Sequence, residues 1–151
     1  MLIDARLVYI TVVPEYETNR GVAYSLGYHL VWCPKYRRPV LVDPVAARLR
    51  ELIGQKCDEH GWTIVALEVM PDHVHLFVRA DPEASPTHLA NQFKGMTSRV
   101  LRQEFPALRR RLPTLWSRSY FVSTVGTVSA ATIKGYIDTQ WERPWRKEAG
   151  R

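Results

Sequence analysis

Two apolar segments, residues 63–70 (TIVALEVM) and 73–80 (HVHLFVRA), are separated only by Pro71-Asp72. A connection this short makes neighbouring strands run antiparallel, so the pair reads as a β-hairpin. The flanks then limit the fold sharply. Upstream, residues 24–32 are rich in aromatic and aliphatic side chains and end at Cys33-Pro34, a strand signature. Asp43-Pro44 reads as a helix start, a capping Asp followed by proline at the first helical position. Val45, Leu49, Leu52, Ile53 and Lys56 follow at helical spacing, and Gly61 ends the run.

Downstream, Ser85-Pro86 repeats the cap-plus-proline signal. Leu89, Phe93, Met96 and Val100 mark a second helix that ends near Phe105-Pro106. The basic stretch Arg109-Arg110-Arg111 precedes a fourth strand expected over residues 115–122. Gly126 is a candidate hinge. Ser129 can cap a last helix running to about Trp141 and carrying Ile133, Tyr136, Ile137 and Gln140.

The order β-α-β-β-α-β spells an α+β, ferredoxin-like (RRM-like) antiparallel sheet. Both helices cover one face, and the other face is expected to be open. The C-terminal helix is extra and could cover that face in its own subunit or in a partner. Residues 1–20 fit no element of this plan and form an N-terminal extension, either an added strand or an upstream extension of the natural start. Residues 21–151 make a single domain.

Composition narrows the function classes. Hydrophobic residues are 46% and charged residues 24% of the 151, which excludes global disorder. Lys plus Arg outnumber Asp plus Glu by 21 to 15, a net charge of +6 that favours a polyanionic partner, nucleic acid first and an anionic membrane surface second. Two cysteines, Cys33 and Cys57, are too few for a disulfide scaffold and suit a reducing compartment. No run approaches the ~18 apolar residues of a membrane span. The apolar start at residues 7–13 has neither a basic region nor a cleavage site, so a cytoplasmic protein is expected.

Strand alternation gives the hairpin its chemistry. Val74, Leu76 and Val78 point one way; His73, His75, Phe77 and Arg79 point the other. Histidines two apart on a strand lie ~6.5–7 Å apart at Cα, so two imidazole nitrogens can converge on one divalent ion. The same pattern also serves two strand histidines hydrogen-bonded to neighbours. Asp72 or Glu68 could orient one of them. On the last helix Tyr136 and Gln140 are i and i+4 and share a face. There a Gln oxygen can be a third ligand and a Tyr hydroxyl a nucleophile, or both can belong to a packing stripe. Cations interleave with aromatics: Lys35, Arg37 and Arg38 around Tyr36, Lys94, Arg99 and Arg102 on the second helix, and Arg118 near Trp116, Tyr120 and Phe121. Cations grip phosphates and aromatic faces stack unpaired bases, although Trp116 and Phe121 equally suit a core.

These segments together resemble a known family. Tyr28-His29-Leu30-Val31-Trp32-Cys33-Pro34-Lys35-Tyr36-Arg37-Arg38-Pro39-Val40-Leu41 is similar to the opening of the single-tyrosine HUH transposases of the insertion-sequence 200/605 type. Met70-Pro71-Asp72-His73-Val74-His75-Leu76-Phe77-Val78, Lys94-Gly95-Met96-Thr97-Ser98-Arg99, Leu115-Trp116-Ser117-Arg118-Ser119-Tyr120-Phe121 and Tyr136-Ile137-Asp138-Thr139-Gln140 follow in the same order. The resemblance covers about residues 21–140.

The resemblance implies that His73, His75 and Gln140 hold a divalent metal, Mg²⁺ or Mn²⁺, and that Tyr136 is the nucleophile. It implies cleavage and rejoining of single-stranded DNA at hairpin-bearing element ends, through a 5′-phosphotyrosine link and a freed 3′-OH. It also implies a homodimer whose tyrosine helix can complete the partner's site. No nucleotide is expected, and no Gly-rich P-loop is present. Lys35, Arg37, Arg38, Lys94 and Arg99 are the expected DNA contacts. The rival readings are a non-enzymatic single-stranded nucleic-acid-binding module, a domesticated relative processing genomic palindromic repeats, and a metal-dependent hydrolase of a small phosphate ester.

Overall fold

The computed structural model describes residues 7–10, 14 and 16–125. Gly126, Tyr136, Gln140 and the expected last helix lie outside the described residues. Five strands form one antiparallel sheet: β1 (Leu7–Ile10), β4 (Gly27–Trp32), β5 (Thr63–Met70), β6 (His73–Arg79) and β7 (Phe121–Val125), in the order β1-β5-β6-β4-β7. A separate small hairpin joins β2 (Glu17–Asn19) to β3 (Val22–Tyr24). The helices are α1 (Val45–His60), α2 (Pro86–Glu104) and the short α3 (Pro106–Arg111). Without β1, the sheet has the β-α-β-β-α-β order and antiparallel pairing of the expected ferredoxin-like plan.

Each helix begins and ends for a local reason. The Ser85 hydroxyl accepts the His88 N–H at 3.0 Å, with Pro86 in the first turn. Gly61 closes α1 in the left-handed region at φ 72°. Asp43 does not cap α1, because the N-cap position is Pro44; the Asp43 carboxylate lies 3.5 Å from Arg50 instead. The helices cover one face of the sheet. Leu49, Leu52 and Ile53 from α1 and Leu89, Phe93 and Leu101 from α2 form one core with Leu30, Trp32, Leu67, Val74, Leu76 and Val78.

Other sequence expectations also need correction. The first strand, expected over residues 24–32, runs only Gly27–Trp32 in the main sheet, and Tyr24 pairs within the small hairpin instead. The basic stretch 109–111 belongs to α3. The fourth strand starts at Phe121, not at residue 115. Residues 115–117 bond instead to the chain leaving β4, through Lys35 N–H to the Leu115 carbonyl (2.8 Å) and Ser117 N–H to the Cys33 carbonyl (2.9 Å). The carbonyls of residues 117–119 then turn to the Lys94 ammonium, which interrupts the ladder. Finally, the face carrying His73, His75, Phe77 and Arg79 is not open: all seven residues of β6 are buried. The His29 ring stacks on Phe77, with centroids 4.2 Å apart, and Arg79 donates to the Pro14 carbonyl and to Ser25.

The N-terminal segment supplies the added strand that was one of its two expectations. β1 lies along the β5 edge, with Leu7 opposite Glu68 and Ile10 opposite Ala66. At the opposite side of the sheet, Gly27 lets β7 approach β4. A Cβ there would meet the Val125 carbonyl oxygen at 2.9 Å.

Candidate metal centre and nucleic-acid interface

The register of β5 against β6 builds the site. Glu68 lies opposite His75, and Met70 opposite His73. Side chains opposite one another in an antiparallel pair share a face. Glu68, His73 and His75 therefore converge, with one ligand atom from each within 4.8 Å of the others and all three residues buried. The Glu68 carboxylate approaches His75 Nε2 at 3.8 Å. Two ligands on one ion at metal–ligand distances of ~2.0–2.2 Å sit at most ~4.4 Å apart, so the three side chains would close in on one another to share an ion.

Both imidazoles are oriented from behind. The Asp72 carboxylate accepts from His73 Nδ1 at 2.7 Å, and its other oxygen accepts from Arg37 Nε at 2.9 Å. Burial works to raise the Asp72 pKa, but the hydrogen bond and charge of His73, with those of Arg37, outweigh it and hold the carboxyl below its usual range. His75 Nδ1 is 3.1 Å from Nε2 of His29, which stands on β4 diagonally across the ladder. Burial pushes His29 down to about 3, so it is a neutral partner at physiological pH. With Nδ1 of each histidine bonded in this way, Nε2 is the atom each presents to an ion. That is the usual arrangement of a histidine ligand and its supporting shell. The residues present thus fit a divalent cation through two imidazoles and one carboxylate.

Sequence reasoning identified His73 and His75 and offered Asp72 and Glu68 as orienting groups. The structure gives Asp72 that role and places Glu68 as a ligand candidate in its own right. His29 was missed. Its alternation against Leu30 and Trp32 put it on the histidine face, but the register that brings it to His75 is not local information. Gln140, the expected third ligand, and Tyr136 lie outside the described residues.

The expected DNA contacts divide into two groups. Arg38 and Arg99 are exposed and Lys35 is half-buried, with its ammonium 5.3 Å from the centre of the Tyr36 ring. Arg37 and Lys94, by contrast, are engaged with the protein. Arg37 holds Asp72. Lys94 donates to the carbonyls of Ser117 (2.8 Å), Arg118 (3.2 Å) and Ser119 (3.3 Å), and its burial lowers its pKa. Trp116 is a core residue: its indole N–H donates to Thr97 Oγ1 at 3.0 Å and its ring meets Trp32 edge-on. Phe121 sits edge-on against His29. Arg99 and Lys94 stand on α2, in the helical layer across the sheet from the histidines.

The turn after β4 is strained. Tyr36 (φ 58°) and Arg37 (φ 53°) are consecutive and are the non-glycine residues with positive φ among those described. Such a conformation costs ~1–3 kcal/mol per residue and persists only where its surroundings impose it. Arg37 N–H to the Pro34 carbonyl (2.8 Å), Leu41 N–H to the Pro71 carbonyl (3.0 Å) and the Arg37–Asp72 pair provide that restraint.

Comparison with known proteins agrees with this geometry. The profile of the family described as Transposase IS200 like matches residues 22–140. The ISDra2 transposase TnpA of Deinococcus radiodurans is 35% identical over 139 residues, covering 91% of this chain and 99% of its own length. The transposase for insertion sequence element IS200 of Salmonella typhimurium is 31% identical over 121 residues, 79% of each chain. A solved candidate transposase from Deinococcus radiodurans R1 superposes with a TM-score of 0.68 at 40% identity, over 82% of this chain and 97% of that one. A REP-associated tyrosine transposase bound to a REP hairpin shares the fold, with a TM-score of 0.56 at 14% identity, over 88% of this chain and 74% of that one.

Proposed function

The chain belongs to the IS200-like transposase family, and on that premise we propose that it cleaves and rejoins single-stranded DNA at hairpin-bearing element ends, with Tyr136 as nucleophile. The observation that carries this reading is the buried Glu68–His73–His75 cluster, in a chain whose family match extends through Tyr136 and Gln140. The Tyr136 hydroxyl loses its proton and attacks the scissile phosphorus. A phenolic O–P bond forms, the bond to the 3′ oxygen breaks, and that oxygen takes a proton to become a free 3′-OH. A later attack by a 3′-OH on the phosphotyrosine rejoins strands, so the energy of the phosphodiester is conserved and no nucleotide is needed.

His73 and His75 are the metal ligands in this proposal, with Gln140 or Glu68 completing the set for Mg²⁺ or Mn²⁺. The ion would supply Lewis acidity at the scissile phosphate. The protein's own part is to hold the imidazoles. Arg37 fixes Asp72, Asp72 fixes His73, and His29 fixes His75. Lys35, Arg38 and Arg99 supply cationic contacts to the DNA backbone. Arg37 and Lys94, also expected as DNA contacts, hold the turn and the 117–119 loop. We place the activity in the cytoplasm as a homodimer; no helix among the described residues is long and apolar enough to cross a membrane.

The decisive experiment is a denaturing gel with labelled single strands from the DNA flanking the gene, with Mn²⁺ or with chelator. The expected result is a labelled band at protein size that requires metal and is absent in Tyr136→Phe, while that variant still binds DNA. Undiminished cleavage by Tyr136→Phe would overturn the assignment. Tight binding with no adduct in any condition would favour the non-enzymatic binding module.

A further inference from the structure

The strained turn after β4 does something the fold alone does not ask of it. A glycine would adopt φ 58° without steric penalty, yet position 36 carries a tyrosine. That ring is not there to fill the core, because Tyr36 is 58% exposed. The left-handed pair separates two neighbouring side chains. Arg37 turns inward to Asp72, and Tyr36 projects outward between Lys35 and the exposed Arg38. The Lys35 ammonium, 5.3 Å from the ring centre, puts a phosphate-binding group beside an aromatic surface. Cation and ring together are the elements of a single-strand platform, the cation for the backbone and the ring for a base.

Position gives the platform its ligand. Arg37 is the next residue, and two contacts, 2.9 Å to Asp72 and 2.7 Å from Asp72 to His73, lead from it to the metal cluster. We propose that Tyr36 is a stacking platform for an unpaired nucleobase of the single-stranded substrate, held beside the phosphate that the His73–His75 site receives. The proposal rests on the single-stranded DNA reading above. It adds a residue that senses whether the DNA next to the cut is unpaired, since a base stacked within a duplex has no free face to offer.

The test uses the full chain and two DNA probes: a hairpin with a single-stranded flank from DNA beside the gene, and the same hairpin with its flank paired. The flank carries 2-aminopurine at successive positions. Wild type and Tyr36→Phe are expected to quench one flank position and to bind the single-stranded probe equally within ~2-fold. Tyr36→Ala and Tyr36→Gly are expected to abolish the quench and to weaken affinity for that probe ~5- to 150-fold, with no change on the paired one. Tyr36→Gly also relieves the backbone strain, so its thermal midpoint should equal or exceed that of wild type, which separates a missing ring from a damaged fold. Wild-type affinity and quench in Tyr36→Gly would overturn the platform while leaving the transposase reading intact. If wild type itself does not prefer the single-stranded probe, the substrate reading fails and the platform with it.

Discussion

At the scale of single residues, the site depends on groups that never need to touch DNA. His73 points Nε2 toward the cluster because its Nδ1 is held by Asp72, and Asp72 is in place because Arg37 holds its other oxygen. Asp72→Asn keeps the shape but weakens the acceptor, and Arg37→Ala frees the carboxylate to rotate. Each is expected to weaken Mn²⁺ binding by ~10- to 100-fold, read by titration calorimetry on otherwise folded protein. Unchanged affinity in both variants would show that His73 needs no support. Arg37 was expected from sequence as a DNA contact because it sits among Lys35, Tyr36 and Arg38. The structure pairs it with Asp72, 35 positions away, a distance no local pattern spans. The same limit hid His29, 46 positions from His75. The histidines themselves were legible because period-2 alternation is local.

At the scale of elements, sequence and structure agree wherever a local signal fixes an end. Ser85 and Gly61 bound their helices as expected, since capping and a left-handed stop are decided by one or two residues. The fourth strand was misplaced because residues 115–120 have strand-like composition but spend their backbone groups on the chain after β4 and on Lys94. The β4–β7 pairing depends on Gly27, whose missing Cβ admits the Val125 carbonyl. Gly27→Ala forces that backbone apart, and the expected cost is ~1–3 kcal/mol in denaturant unfolding, because an added methyl in a packed place cannot be absorbed by rotamer change. An unfolding midpoint equal to wild type would show that β7 shifts freely.

For the molecule as a whole, the chemistry is divided between the two sides of one sheet. The histidine cluster is on the face away from the helices, whereas Arg99 stands on the helical layer, so DNA touching both must pass around an edge of the sheet. The surplus of cations predicts salt-sensitive binding. Removing one cation from a phosphate should make the slope of log K against log salt shallower by ~0.7 for a single strand. Arg38→Ala and Arg99→Ala are each expected to do so in fluorescence anisotropy titrations. Lys94→Ala is expected instead to loosen the 117–119 loop and lower the thermal midpoint. An unchanged slope in Arg38→Ala and Arg99→Ala would remove them from the interface.

The added strand β1 has a practical meaning for anyone trimming this protein. The family match begins at residue 22, but the sheet does not, since Leu7–Ile10 seals the outer rim of β5. A chain cut back to the matched region would leave the strand that carries Glu68 with a bare row of amides and carbonyls. Such a rim is adhesive toward any other extended chain. Leu7–Ile10 thus acts as a guard rail for the β5–β6 hairpin, and removing it would trade a smaller protein for a stickier one.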